Sequence, residues 1–84
     1  MNRIQVTMYS KENCSLCRKA KKVIEELSEE YLIDLHEIDI YKDDQLLEKY
    51  QIMIPVIEIG GNEVEYGIIH KETIQEYLNQ LLKN

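Results

Sequence analysis

The two cysteines of this 84-residue chain, Cys14 and Cys17, stand three positions apart in the stretch YSKENCSLCRKAKK, residues 9–22. Two sulfurs at that spacing, at the start of a helix, can close a disulfide with little movement of the backbone. The first turn of a helix presents unpaired N–H groups and about half a positive charge, and both favour a thiolate at the first sulfur. The second lies one turn deeper on the same face, where it would resolve a mixed disulfide formed at the first. Cys14 is therefore read as the nucleophile and Cys17 as the resolving residue. Lowering a thiol pKa from about 8.5 to about 6 raises the thiolate fraction at pH 7 roughly thirtyfold, while intrinsic nucleophilicity falls about tenfold. Attack gains only a few-fold, so the main benefit is a better leaving group in the resolving step.

Two other readings of the pair stand beside this one. Free cysteines often serve as small core residues. A closed zinc site wants four ligands, but only His36 and His70 remain, on other segments, so thiolates from two chains would be needed. The placement of Cys-x-x-Cys between a strand and a helix favours redox chemistry over both.

Five cations, Lys11, Arg18, Lys19, Lys21 and Lys22, crowd this stretch against one anion, Glu12. Farther on come Glu25, Glu26, Glu29 and Glu30. That order opposes the helix macrodipole at both ends, which costs a few tenths of a kcal/mol per residue, so stability alone would not select it. Cations here would hold a thiolate and attract an anionic thiol substrate. Lys11, three residues before Cys14, is the one assigned to the site; Lys19 and Lys22 read as a solvated face.

The elements that position the pair follow from hydrophobic period. Ile4, Val6 and Met8 alternate with polar residues, predicting a strand over Arg3–Tyr9. Leu16, Cys17, Ala20, Val23, Ile24, Leu27 and Tyr31 then recur at three- and four-residue steps, predicting an amphipathic helix to about Glu30. Leu35, Ile38 and Ile40 suggest a second strand ending near Tyr41, and Asp43 and Asp44 open a short helix. After the sole proline, Pro55, a hairpin is predicted: Val56–Ile59, a turn at Gly60-Gly61-Asn62, then Glu63–Tyr66. A last helix starts at His70. The order β-α-β-α-β-β-α implies a mixed sheet in one α/β domain spanning residues 1–84, with a parallel pair across the first crossover. Because Val56, Ile57 and Ile59 are apolar on both sides of one strand, helices are expected on both faces. Tyr31, Tyr50 and Tyr77 are read as core, and His36 and His70 as surface residues.

The formal charge of −6 and pI of about 4.8 argue against nucleic acid and against an anionic membrane surface. The opening MNRIQVTMYS lacks the apolar region of a secretory signal. A cytoplasmic location is expected, where cysteines seldom form structural bridges, and a monomer is expected.

With Lys11, the Cys14-Ser15-Leu16-Cys17 pair, Pro55 and this order of elements, the chain resembles a glutaredoxin-like member of the thioredoxin superfamily over nearly all its length. The stretch YSKENCSLC is similar to the one in which glutaredoxins place a lysine three before the nucleophile. MIPV resembles the loop whose proline is cis and faces the cysteines. The resemblance implies a four-stranded mixed sheet flanked by three helices, and dithiol–disulfide exchange with a protein disulfide or with glutathione, a candidate co-substrate. It implies no bound cofactor or metal, and a separate reductant that recycles the pair. It assigns Lys11 to glutathione or thiolate binding and the main chain of Ile54, before Pro55, to pairing with the substrate cysteine. Tyr66 and Gly67 are placed at the border of the substrate groove. The chain departs from glutaredoxins in holding Ser15-Leu16 between the cysteines, and in a stretch Tyr66–His70 with one glycine and no acid. A non-catalytic module of the same fold, carrying a metal or iron–sulfur cluster or acting as an adaptor, is the alternative function.

Overall fold

In the computed structural model, which describes residues 3–83, the first strand β1 covers Ile4–Ser10, with Ile4, Val6, Met8 and Ser10 turned inward. Helix α1, Ser15–Leu27, follows and buries Cys17, Ala20, Ile24 and Leu27 along one stripe. Strand β2 is Ile33–Asp39, and a 3₁₀ turn at Ile40–Lys42 leads into helix α2, Asp44–Tyr50. The hairpin is β3, Val56–Ile59, with β4, Asn62–Tyr66, and helix α3 is Lys71–Leu82.

The sheet order is β2-β1-β3-β4. β1 runs parallel to β2 and antiparallel to β3, and β3 is antiparallel to β4. On one face, Val6, Met8, Ile57 and Ile59 meet Ile24 and Leu27 of α1 and Ile74 and Leu78 of α3. On the other, Val56 packs with Ile40 and Tyr50, and with half-buried Tyr9, Leu46 and Ile54. Alternation within β3 therefore explains its apolar run: Ile57 and Ile59 serve the first face and Val56 the second. Each such side chain is worth roughly 1.5–3 kcal/mol relative to exposure, so these two layers hold the sheet between its helices. The result is a four-stranded mixed sheet with three helices, the thioredoxin-like arrangement that the resemblance implies.

Several boundaries differ from expectation. β1 begins at Ile4 and runs on to Ser10. α1 stops at Leu27 rather than near Glu30: beyond it the N–H groups of Glu29 and Glu30 reach back only three residues, to the carbonyls of Glu26 and Leu27 at 3.2 and 3.0 Å, so the last turn tightens and the α pattern ends. β2 starts earlier, at Ile33, and ends at Asp39, whose carboxylate accepts the N–H of Tyr41 at 2.9 Å and starts the 3₁₀ turn. Ile40 is thus a core residue of the second face, not a strand residue. Asn62, expected in the turn, opens β4 opposite Ile59. Tyr50 is buried, whereas Tyr31 and Tyr77 only lean on the core, with their hydroxyls bonded to Asn79 and Asn62 respectively.

Candidate functional site

β1 ends at Ser10, and three residues later the chain turns into α1. Asn13 makes that turn in the left-handed region, φ 54°, a conformation that Asn tolerates better than most side chains. Cys14 is then the N-cap of α1, in extended conformation, and its carbonyl accepts the first helical bond, from Arg18 N–H at 3.1 Å. Its Sγ accepts the N–H of Cys17 at 3.2 Å. A sulfur therefore occupies the place where Ser, Thr or Asp oxygens usually cap a helix. The first turn of α1 carries no acid to oppose negative charge there. The sequence motif marks the pair, but Asn13, which aims it, was not singled out; a non-glycine residue between strand and helix gives little signal.

The two sulfurs are joined in a disulfide, with Cα atoms 5.2 Å apart. Cys17 is 4% exposed, while Cys14 is only half-buried. An incoming group therefore meets Cys14 first.

The loop after α2 faces this sulfur. Its Ile54–Pro55 bond is cis, as the resemblance implies, and Pro55 is buried. Ile54 lines an open concavity of about 330 Å³ together with Lys11, Cys14, Leu16, Gln51 and Ile52. Among the described residues, neither the N–H nor the carbonyl of Ile54 has a main-chain partner. The loop is anchored from two sides: Met53 N–H bonds the Tyr50 carbonyl at 2.8 Å, and Gly67 N–H is shared between the carbonyls of Met53 and Pro55, at 3.1 and 2.8 Å. Gly67 sits at φ 76°, where a side chain would be strained. Tyr66 is opposite Val56 at the end of β4 and mostly exposed. Tyr66 and Gly67 thus flank the proline loop without lining the concavity itself.

Lys11 borders that concavity and also a cleft of about 410 Å³ shared with Glu12, Asp39 and Tyr41. Lys21 pairs with Glu37 of β2 at 3.2 Å; Lys11, Arg18, Lys19 and Lys22 have no carboxylate partner among the described residues. His36 lies on β2 beside Asp34, and His70 caps α3 next to Glu65, with Nδ1 at 2.7 Å from its carboxylate. Both are exposed, and neither lines the concavity at Cys14. Among the described residues no group of three or more His, Cys, Asp or Glu could hold a metal, and no helix is long and apolar enough to cross a membrane.

A network on the second face braces α2. The rings of Tyr9 and Tyr50 stack at 4.6 Å. The Tyr9 hydroxyl donates to Glu58 at 3.2 Å and the Tyr50 hydroxyl to Glu63 at 2.6 Å. Lys49 lies 3.4 Å from Glu63 and over the Tyr50 ring. Burial pushes both phenols above their ordinary range, and the Tyr50 bond holds the Glu63 carboxyl below the usual carboxylate range. Sequence reasoning did not reach this network, since it joins residues from four separate elements.

A half-exposed sulfur at a helix N-terminus, a buried partner sulfur and a facing cis-proline loop can exchange disulfides, and the fold and Cys-x-x-Cys pair support a redox-type function. The comparisons with known proteins agree. A thioredoxin of Methanocaldococcus jannaschii is 27% identical over 85 residues, 98% of this chain and 100% of the relative. The solution structure of protein Ne2328 from Nitrosomonas europaea superposes with a TM-score of 0.82 at 20% identity, covering 92% of this chain and 93% of that one. A thioredoxin mutant from Halobacterium salinarum gives 0.70 at 19% identity, over 99% of this chain and 78% of its own. These two structures share the fold. The family of the glutaredoxin-like domain (DUF836) matches residues 5–79. The chain belongs to that glutaredoxin-like family of the thioredoxin superfamily.

Proposed function

We propose that the protein is a small thiol–disulfide oxidoreductase. The observation that carries this reading is the Cys14 sulfur at the cap of α1, accepting the Cys17 N–H, with Cys17 buried behind it. When the pair is reduced, the same N–H and the helix N-terminus stabilise a thiolate on Cys14. That thiolate attacks one sulfur of a substrate disulfide, forms a Cys14 mixed disulfide and releases the other sulfur as a thiolate. Cys17, deprotonated in turn, attacks Cys14 Sγ, closes the internal disulfide and releases the second substrate thiolate. Two electrons pass from the pair to the substrate, and the two released thiolates take up protons from solvent. An external thiol or dithiol, glutathione being one candidate, returns the pair to the reduced state by the reverse steps. In this reading Lys11 offers a cation to the incoming sulfur or carboxylate, and the N–H and carbonyl of Ile54, without main-chain partners among the described residues, pair with the main chain beside the substrate cysteine. Pro55 and Gly67 hold that edge in place.

The test uses the reduced protein with a chromogenic aromatic disulfide. Cys14→Ser should abolish reduction, and a limiting alkylating agent should label Cys14 before Cys17 in the parent protein. Equal, slow labelling of both thiols, or activity surviving Cys14→Ser, would rule the reading out.

A further inference from the structure

Helix α2 has seven residues, and only its last, Tyr50, is buried; Leu46 and Leu47 merely lean on the second core. The placement of the helix therefore rests on what Tyr50 meets. Its ring stacks on Tyr9 of β1 at 4.6 Å, and its hydroxyl donates to Glu63 of β4 at 2.6 Å. Its carbonyl accepts the N–H of Met53, the residue before Ile54, at 2.8 Å. Tyr50 thus ties the sheet, through its side chain, to the loop beside Cys14, through its main chain. The far end of β4 grips that loop again, where Gly67 N–H reaches the carbonyls of Met53 and Pro55. Ile54, whose N–H and carbonyl have no main-chain partner among the described residues, is carried between these two anchors.

Stability alone would not select this arrangement. The register sets Glu63 opposite Glu58 on the neighbouring strand, and like charges so placed repel. Each is met by a phenol, Glu58 by Tyr9 and Glu63 by Tyr50, with Lys49 also 3.4 Å from Glu63. Glu63 is exposed, so water would satisfy its carboxylate without Tyr50. Phenylalanine at 50 and an apolar residue at 63 would fill the same space and leave no buried hydroxyl to satisfy. What the phenol and carboxylate add is a short, directional bond, which fixes where the end of α2 lies against β4.

We propose that Tyr50 is a positioning residue for disulfide exchange: its bond to Glu63 holds the end of α2, and with it the Ile54 edge, in register with a substrate main chain at Cys14. Tyr50 does not itself line the concavity. The proposal rests on Cys14 being the nucleophile and on Ile54 receiving the substrate main chain. The test follows single-turnover oxidation of the reduced protein by two disulfides. One is the disulfide of acetyl-Gly-Cys-Gly-amide, which offers a main chain to Ile54; the other is a small aromatic disulfide, which offers none. Tyr50→Phe should slow the peptide reaction about tenfold, well inside the roughly hundredfold that a misplacement of about 1 Å can cost. It should leave the aromatic reaction unchanged. Glu63→Leu should act in the same way, and the double variant should be no slower than either single one, since both remove one bond. Glu63→Gln, which keeps an oxygen acceptor, should recover most of the peptide rate. Tyr31→Phe, which removes a hydroxyl bond to Asn79, should leave both rates as they are. A purely structural role for Tyr50 would lower the urea midpoint and leave the ratio of the two rates untouched. An unchanged ratio, additive effects in the double variant, no recovery in Glu63→Gln, the same slowing in Tyr31→Phe, or a parent protein that exchanges with the aromatic disulfide alone would each overturn the proposal while the oxidoreductase reading stands. A parent protein that reduces neither disulfide would overturn both.

Discussion

Replacing Cys17 by serine separates the electrostatics of Cys14 from the resolving step. The variant keeps the main-chain N–H that Cys14 Sγ accepts at 3.2 Å, together with the helix that it caps, and removes only the second sulfur. A hydrogen bond to a charged acceptor contributes about 1.5 kcal/mol, and a helix terminus about 0.5 kcal/mol at a half-exposed site. Together roughly 2 kcal/mol favour the anion, a shift of about thirtyfold in the thiol–thiolate equilibrium. A Brønsted slope of about 0.4–0.5 makes that stabilised thiolate about fivefold less nucleophilic than an ordinary one. In mild acid, where both thiols are mostly protonated, Cys14 should therefore alkylate about sixfold faster than a thiol in an unstructured peptide. In alkali, where both are ionised, it should be about fivefold slower. Restricted access would scale both rates alike, so the pH dependence of the ratio isolates the electrostatic effect. The assay is iodoacetamide alkylation of Cys17→Ser, followed by mass spectrometry, against the peptide thiol across this range. A ratio that stays flat with pH would refute the claim that this helix start stabilises the sulfur anion.

Three further outcomes concern the scaffold. Tyr50→Phe keeps the stack on Tyr9 but removes the hydroxyl bonded to Glu63, and should lower the urea midpoint at pH 7. Because that bond lowers the folded-state pKa of Glu63, the contribution is present above the unfolded value of 4.5 and is lost as pH falls through the lower folded value. Parent and Tyr50→Phe should therefore converge in acid. Ile57→Ala empties a fully buried site between the sheet and its helices and should cost about 2–4 kcal/mol, whereas Ile52→Ala, at 93% exposure, should stay within about 0.5 kcal/mol; similar urea midpoints for the two would contradict the assigned burial. Gly67→Ala should cost about 1 kcal/mol through its φ of 76° alone, since nothing lies within 4 Å of an added Cβ; an unchanged midpoint would mean the turn relaxes freely.

What could be read from the sequence divides along physical lines. β1 and α1 were legible because each buries one face, so Ile4, Val6 and Met8 repeat every second residue and Cys17, Ala20, Ile24 and Leu27 every three or four. β2 was blurred because it is an edge strand. Its side chains are half-buried or exposed throughout, and Ile40, which looked like its continuation, serves the opposite core from a 3₁₀ turn. The shift of register between Ile57 and Glu58 left no mark either, since both residues suit a strand. At the site, the cysteines announce themselves by spacing, and Pro55 through its resemblance to a known loop. The supports of the loop do not. Gly67 meets Met53 and Pro55, and Tyr50 meets Glu63, only after the hairpin has folded back beside α2. Reactive groups are local in sequence because the chemistry needs them on one helical turn. The edge beside them comes from elsewhere in the chain: Ile52 and Ile54 line the concavity of Cys14, and their spacing from it in sequence says nothing of that placement.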